Sequence, residues 1–126
     1  MERTLYNRNG DAVAYITSDY NKTIYMFNGQ AVAYLYENSH VYGINGRHLG
    51  WFVDDIIFNH HGERTGFTNK TCPVNVAKEP IKSEKSHADE LRPRWAAPPF
   101  PNLNYDYAVH DLKDLLKDGL VIRQQV

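Results

Sequence analysis

Four histidines, His40, His48, His60 and His61, crowd into one stretch of the chain together with Glu37, Arg47, Asp54, Asp55 and Glu63. Imidazoles change charge near neutral pH and offer both a donor and an acceptor, so such a set suits proton transfer or the binding of a polar ligand. Metal binding makes a stricter demand on spacing. No HxxxH or HExxH pair occurs, so no metal site is expected, and no cofactor either. A GxSxG elbow, a P-loop and a dinucleotide fingerprint are also missing. The glycines of GINGRHLGWF are followed by no helix that could receive a phosphate. The expectation is a turn-side ligand set of Arg47, His48, Asp55, His60 and His61, with no catalytic residue assigned and enzymatic activity not expected.

Those residues must be held by something, and the chain supplies it by repetition. LYNRNGDAVAYI (5–16), IYMFNGQAVAYL (24–35), VYGINGRHLGWF (41–52) and IFNHHGERTGFT (57–68) align without gaps. Each has an aliphatic followed by Tyr or Phe, then a polar-Gly pair, then a small residue and an aromatic. Asn9-Gly10, Asn28-Gly29 and Asn45-Gly46 are the dipeptide that accepts the positive φ angles of a type I′ turn, so each unit reads as a hairpin with a two-residue loop. That register sets Leu5 opposite Ala14, Tyr6 opposite Val13 and Arg8 opposite Asp11. One face then carries Tyr6, Tyr15, Tyr25, Tyr34, Tyr42, Trp51, Phe58 and Phe67. The other carries Leu5, Ile24, Val41 and Ile57 beside a small-residue column, Ala14, Ala33, Gly50 and Gly66. A position small in every copy marks a close approach of strands, placed here near a pseudo-four-fold axis. Because one hairpin is unstable alone, the four must pack together. The predicted fold is mainly β, four consecutive hairpins in a flower-like array, with a C-terminal α-helix.

The repeated pattern, together with GRHLGWF followed by HHGERTGFT and GFTNKTCPV, resembles the bacterial four-fold β-flower proteins over about the first 75 residues. The resemblance implies four hairpins arranged as petals and brings no activity, substrate or catalytic residue with it. It also implies that the tail of this chain, with its charged stretch and helix, departs from the Pro-, Tyr- and Lys-rich tail of the family.

Composition narrows the classes of function. The 14 basic and 15 acidic residues nearly cancel, giving a net charge of −1 and no field to attract nucleic acid or an anionic membrane. No stretch approaches the ~20 apolar residues of a membrane span, and no apolar leader precedes the first strand. The single cysteine, Cys72, fits a reducing compartment. A soluble, cytoplasmic protein is expected.

The chain divides into a repeat domain (1–75), a charged, proline-containing connector (76–104) and a helix with its tail (105–126). In the connector Ser86 to Leu91 reads as a solvated loop or a short helix, and Trp95 and Phe100 are large rings expected in a groove of the domain or of a partner. Ala108, Val109, Leu112, Leu115 and Leu116 recur at helical spacing, predicting about three turns opened by Asn104 or Asp106 and closed by Gly119. Leu120, Val121 and Ile122 could add an edge strand. Docking of these rings and of the apolar helix stripe on the chain's own hairpins is the preferred reading, and Trp95, Phe100, Leu112 and Leu116 are otherwise candidates for contact with a protein partner or a second copy of the chain. The preferred function is a non-catalytic interaction or binding module, and the alternative is a small-ligand-binding or hydrolytic protein built on the turn-side polar residues.

Overall fold

The computed structural model describes residues 2–86 and 94–120. Eight strands run in chain order: β1 (Arg3–Tyr6), β2 (Ala12–Ile16), β3 (Thr23–Met26), β4 (Ala31–Tyr36), β5 (His40–Gly43), β6 (His48–Val53), β7 (Ile56–Phe58) and β8 (Arg64–Phe67). Each pairs antiparallel with its sequence neighbours, and Tyr6 opposite Phe67 joins β1 to β8, closing a barrel. Closure removes the free edges that four separate hairpins would expose. No described helix is long and apolar enough to cross a membrane.

The hairpin turns differ from the expected type I′ form. Gly10 N–H donates to the Asn7 carbonyl and Asn7 N–H to the Asp11 carbonyl, both at 3.0 Å, and Gly10 alone in this loop has positive φ, +84°. This is a three-residue loop, a turn followed by a glycine bulge, and all four copies share it. Leu5 does pair with Ala14, but Tyr6 then pairs with Ala12 instead of Val13. The extra residue in each copy, Val13, Val32, Leu49 or Thr65, breaks the alternation. Of these, Val32 and Leu49 are buried in the core and Val13 packs against it. Side-chain amides complete the turns: Asn7 and Asn59 cap from the first turn position, Asn28 and Asn45 from the third. His61 therefore needs no positive φ. The two-residue turns with positive φ lie between repeats, at Glu37-Asn38 and Asp54-Asp55.

Leu5, Ile16, Ile24, Leu35, Val41, Phe52 and Ile57 fill the interior around Ala14 and Ala33. The aromatic face points outward, where its members pair directly across the seams between hairpins: Tyr15 with Tyr25, Tyr34 with Tyr42, Trp51 with Phe58, Tyr6 with Phe67. Rings on the outside of a barrel should be wet, yet all eight are buried.

The tail covers them. It winds around the petal tips and donates one backbone N–H to each turn glycine: Ala77 to Gly10 O, Ser86 to Gly29 O, Trp95 to Gly46 O and Asn104 to Gly62 O, at 2.8, 2.8, 2.9 and 3.0 Å. These donors are nine residues apart throughout. The belt sits so close that a Cβ on Gly29 would lie 2.0 Å from the Glu84 carbonyl oxygen. Lys82 stands 4.6 Å from the centre of the Tyr15 ring, and Phe100 meets Trp51 edge-on at 5.3 Å.

The belt ends in α1 (Leu112–Lys117), which is shorter than the expected three turns. Residues 106–108 are instead bonded alongside β8: Arg64 N–H donates to Asp106 O and Ala108 N–H to Arg64 O, both at 2.8 Å. The N-cap is Asp111, whose carboxylate accepts from Lys113 N–H, in place of Asn104 or Asp106. Leu112 and Leu116 are 0 % exposed and plug the barrel at the petal-tip end. They are consumed by the chain's own core, so the partner contact expected of them has no surface to use. Gly119 does follow the helix, but it is needed for room: a Cβ there would stand 2.3 Å from the Val32 carbonyl oxygen. Ser86 lies outside any helix or strand, while the remainder of the suggested 86–91 helix, and Val121 and Ile122 of the suggested edge strand, lie outside the described residues.

Candidate functional site

Between the third and fourth petals the belt, α1 and the two turns border an open cavity of about 770 Å³. Arg47, His48, His60 and His61 line it, joined by Trp95 and Pro98 of the belt, His110, and Asp114, Leu115 and Asp118 of the helix region. Four of the five ligand residues expected from sequence thus converge. Asp55 does not: it occupies the turn at the opposite end of the strands, where its carboxylate pairs with Arg3 at 3.0 Å. Trp95 and Phe100 remain 58 % and 57 % exposed, each with one side against the barrel.

The histidines are ordered in a chain. His40 Nδ1 lies 3.1 Å from His48 Nε2, and His48 Nδ1 lies 3.0 Å from His60 Nε2. His48 is only 7 % exposed, packed 4.7 Å from the Trp51 ring and nearly parallel to His60, with ring centres 5.2 Å apart. Burial, reinforced by the neighbouring His60 and His40, pushes its pKa down to about 4. His60, open to solvent on its outer edge, is also held below the usual imidazole value, chiefly by burial of the rest of the ring. The central ring is therefore neutral at pH 7, with one N–H and one lone pair.

Two proton arrangements satisfy both contacts. In one, His40 Nδ1–H donates to His48 and His48 Nδ1–H donates to His60; in the other, both bonds reverse. His60 Nδ1 then carries the proton in the first case and the lone pair in the second. The chain couples a half-buried imidazole to the cavity wall, so the site can match a ligand group of either polarity. Because His48 turns a different nitrogen to each neighbour, the geometry is that of a proton-sharing row.

Elements of this site that sequence reasoning missed include the link to His40, the belt's Trp95 as a cavity wall, and His110, Asp114 and Asp118. One signal pointed to part of it. The repeat column Ala12, Ala31, His48, Arg64 is alanine in two copies and polar in the two that flank the cavity.

The model of the 4-fold beta flower protein family matches residues 3–116. The match runs past the first 75 residues, through the belt and into α1, so the tail falls within the family's pattern and is not a departure from it. No curated protein and no solved structure matches. Since the matched region takes in all eight strands, the belt and most of the plug, the chain belongs to the 4-fold beta flower protein family.

Proposed function

We propose that this protein is a non-catalytic binding module whose ligand is a small molecule with a planar ring and hydrogen-bonding substituents, held in the cavity between the third and fourth petals. The observation that carries the reading is the convergence of Arg47, His48, His60 and His61 with Trp95 on one concavity. Pockets for small molecules combine apolar walls with a few placed polar groups, and Leu49, Pro98 and Leu115 supply the walls here. Arg47, 5.7 Å from the Trp95 ring centre, and the imidazoles offer flat surfaces for stacking, while Asp114 and Asp118 offer acceptors. The lone thiol, Cys72, is compatible with the cytoplasm as the place of action.

An interaction role is the second reading, favoured by the outward exposure of Trp95 and Phe100. It would join the chain to a protein partner or a second copy through the belt.

One experiment separates the two. Heteroaromatic fragments bearing hydroxyl, amino or carboxylate groups are titrated into the isotope-labelled full chain, and NMR follows the histidine and tryptophan rings. Binding near ~1 mM, about −4 kcal/mol, is expected for a fragment. Shifts should centre on His48, His60, His61 and Trp95, with Arg47→Ala weakening binding about tenfold, or ~1.4 kcal/mol. Unmoved ring signals across the panel, with light scattering above the monomer mass, would reject the ligand reading for the interaction reading.

A further inference from the structure

Beside the cavity, sharing Thr65, Ala108 and His110 with it as a common wall, is a smaller pocket of about 220 Å³. Its chemistry is cationic. Arg8 and Arg64 both line it, and both guanidiniums lie against one ring, 5.5 and 4.4 Å from the centre of Tyr107. Two like charges on a single ring repel each other. Among the described residues no carboxylate comes within ion-pairing distance of either, whereas Arg3, Lys82 and Lys85 each have one. Asp111 also borders the pocket, with one carboxylate oxygen occupied by Lys113 N–H.

A second observation is independent of charge. Three buried side-chain polar atoms among the described residues have no hydrogen-bond partner, and two of them, Arg64 Nε and Thr65 Oγ1, belong to residues of this pocket. Thr65 is 5 % exposed. A buried donor without a partner is costly, and native folds retain few. The Arg64 guanidinium is fixed in place by a bond from Nη2 to the Tyr105 carbonyl. The repeat shows how local this is: Thr65 stands where the other copies have Val13, Val32 and Leu49, and Arg64 where two have alanine. A hydroxyl and a guanidinium were placed in positions that elsewhere serve packing.

We infer that this pocket is an oxyanion subsite adjoining the cavity, and that the ligand carries a phosphate, sulfate or carboxylate group. Arg64 Nε–H and the Thr65 hydroxyl donate to the anion's oxygens, and Arg8 supplies the second positive charge. The organic part of the ligand rests on the reading in the previous subsection; the anion pocket is tested without it.

Inorganic phosphate, sulfate and acetate are titrated separately into the labelled full chain at pH 7 in a chloride buffer of low ionic strength. Phosphate should move the Arg64 Nε–H and Thr65 amide signals with saturation in the millimolar range. Thr65→Val, nearly isosteric, and Arg8→Gln, on an exposed turn, should each weaken it about tenfold, while Lys117→Gln on the exposed side of α1 leaves it unchanged. Tighter binding of phosphate than acetate assigns a phosphorylated ligand, and the reverse order a carboxylate. If shifts spread over surface lysines and survive Thr65→Val intact, the oxyanion subsite is overturned, whatever the fragments do. If phosphate saturates here while every fragment fails, the subsite stands and the cavity reading falls.

Discussion

Replacing His48 by glutamine should flatten the pH dependence of stability between pH 4 and 6.5. In the unfolded chain this imidazole titrates near 6.5, while in the folded barrel its pKa is pushed down to about 4. Between those values the unfolded state binds a proton that the native state refuses, so stability rises with pH across the window and is fully present above about 6.5. The slope is ~1.4 kcal/mol per pH unit, and over the window it amounts to about 3 kcal/mol, a sizeable share of the ~5–15 kcal/mol typical of a domain. His60 adds a contribution of the same sign, since it too is held below its ordinary value. Glu2, lowered by its bonds to Lys85 and Lys82, adds a slope of the same sign as pH falls through its ordinary value of 4.5, at the low end of the window, and does so equally in both proteins. Glutamine keeps one donor and one acceptor between His40 and His60 but cannot titrate. Urea unfolding followed by Trp51 and Trp95 fluorescence at a series of pH values reads the slopes, and ring NMR reads the individual titrations. Equal slopes in the two proteins, or a His48 midpoint near 6.5, would refute the argument from burial.

Two further changes probe the parts that hold the site. Leu116→Ala removes most of a side chain that is 0 % exposed inside the barrel mouth, and should cost ~2–5 kcal/mol and lower Tm by roughly 10 °C; a loss under about 1 kcal/mol would mean that α1 does not seal the core. Gly29→Ala puts a Cβ on a backbone at φ +92° and 2.0 Å from the Glu84 carbonyl oxygen, so the belt must lift at that petal. The conformational strain alone is ~1–2 kcal/mol. Hydrogen exchange at the Ser86 amide should accelerate and cleavage at Lys82 and Lys85 should rise, with Gln30→Ala as the exposed control; unchanged protection at Ser86 would show that the glycine does not seat the belt.

The four hairpins, and which side chains lie on which face, were legible because both are local. A period of two and a recurring Gly fix the faces of the repeated aliphatics and aromatics before any long-range contact forms, though not those of the bulge residues. The turn type was not legible. Asn-Gly serves a type I′ loop and a glycine-bulge loop alike, and the deciding feature is an extra residue, Val13, Val32, Leu49 or Thr65, of which closure sets Val32 and Leu49 in the core and Val13 against it. The shortened helix has a similar origin: the apolar spacing from Ala108 onward is helical, but Arg64 captures residues 106–108 along β8.

By itself the sequence determined the repeated hairpin, the aliphatic and aromatic faces, and the polar residues concentrated in the third and fourth copies. The tertiary structure decided what those residues became. The belt binds the petals mainly through backbone N–H groups at nine-residue intervals, and since every non-proline residue carries that donor, the arrangement leaves no pattern of side chains to read. Barrel closure and the belt together brought His40, His48 and His60 into one row, separated Asp55 from them, and set Arg8 of the first petal beside Arg64 of the last. The histidine row joins residues of one hairpin and the next, 8 and 12 positions apart, whereas Arg8 and Arg64 come from opposite ends of the repeat and meet only because β1 closes on β8.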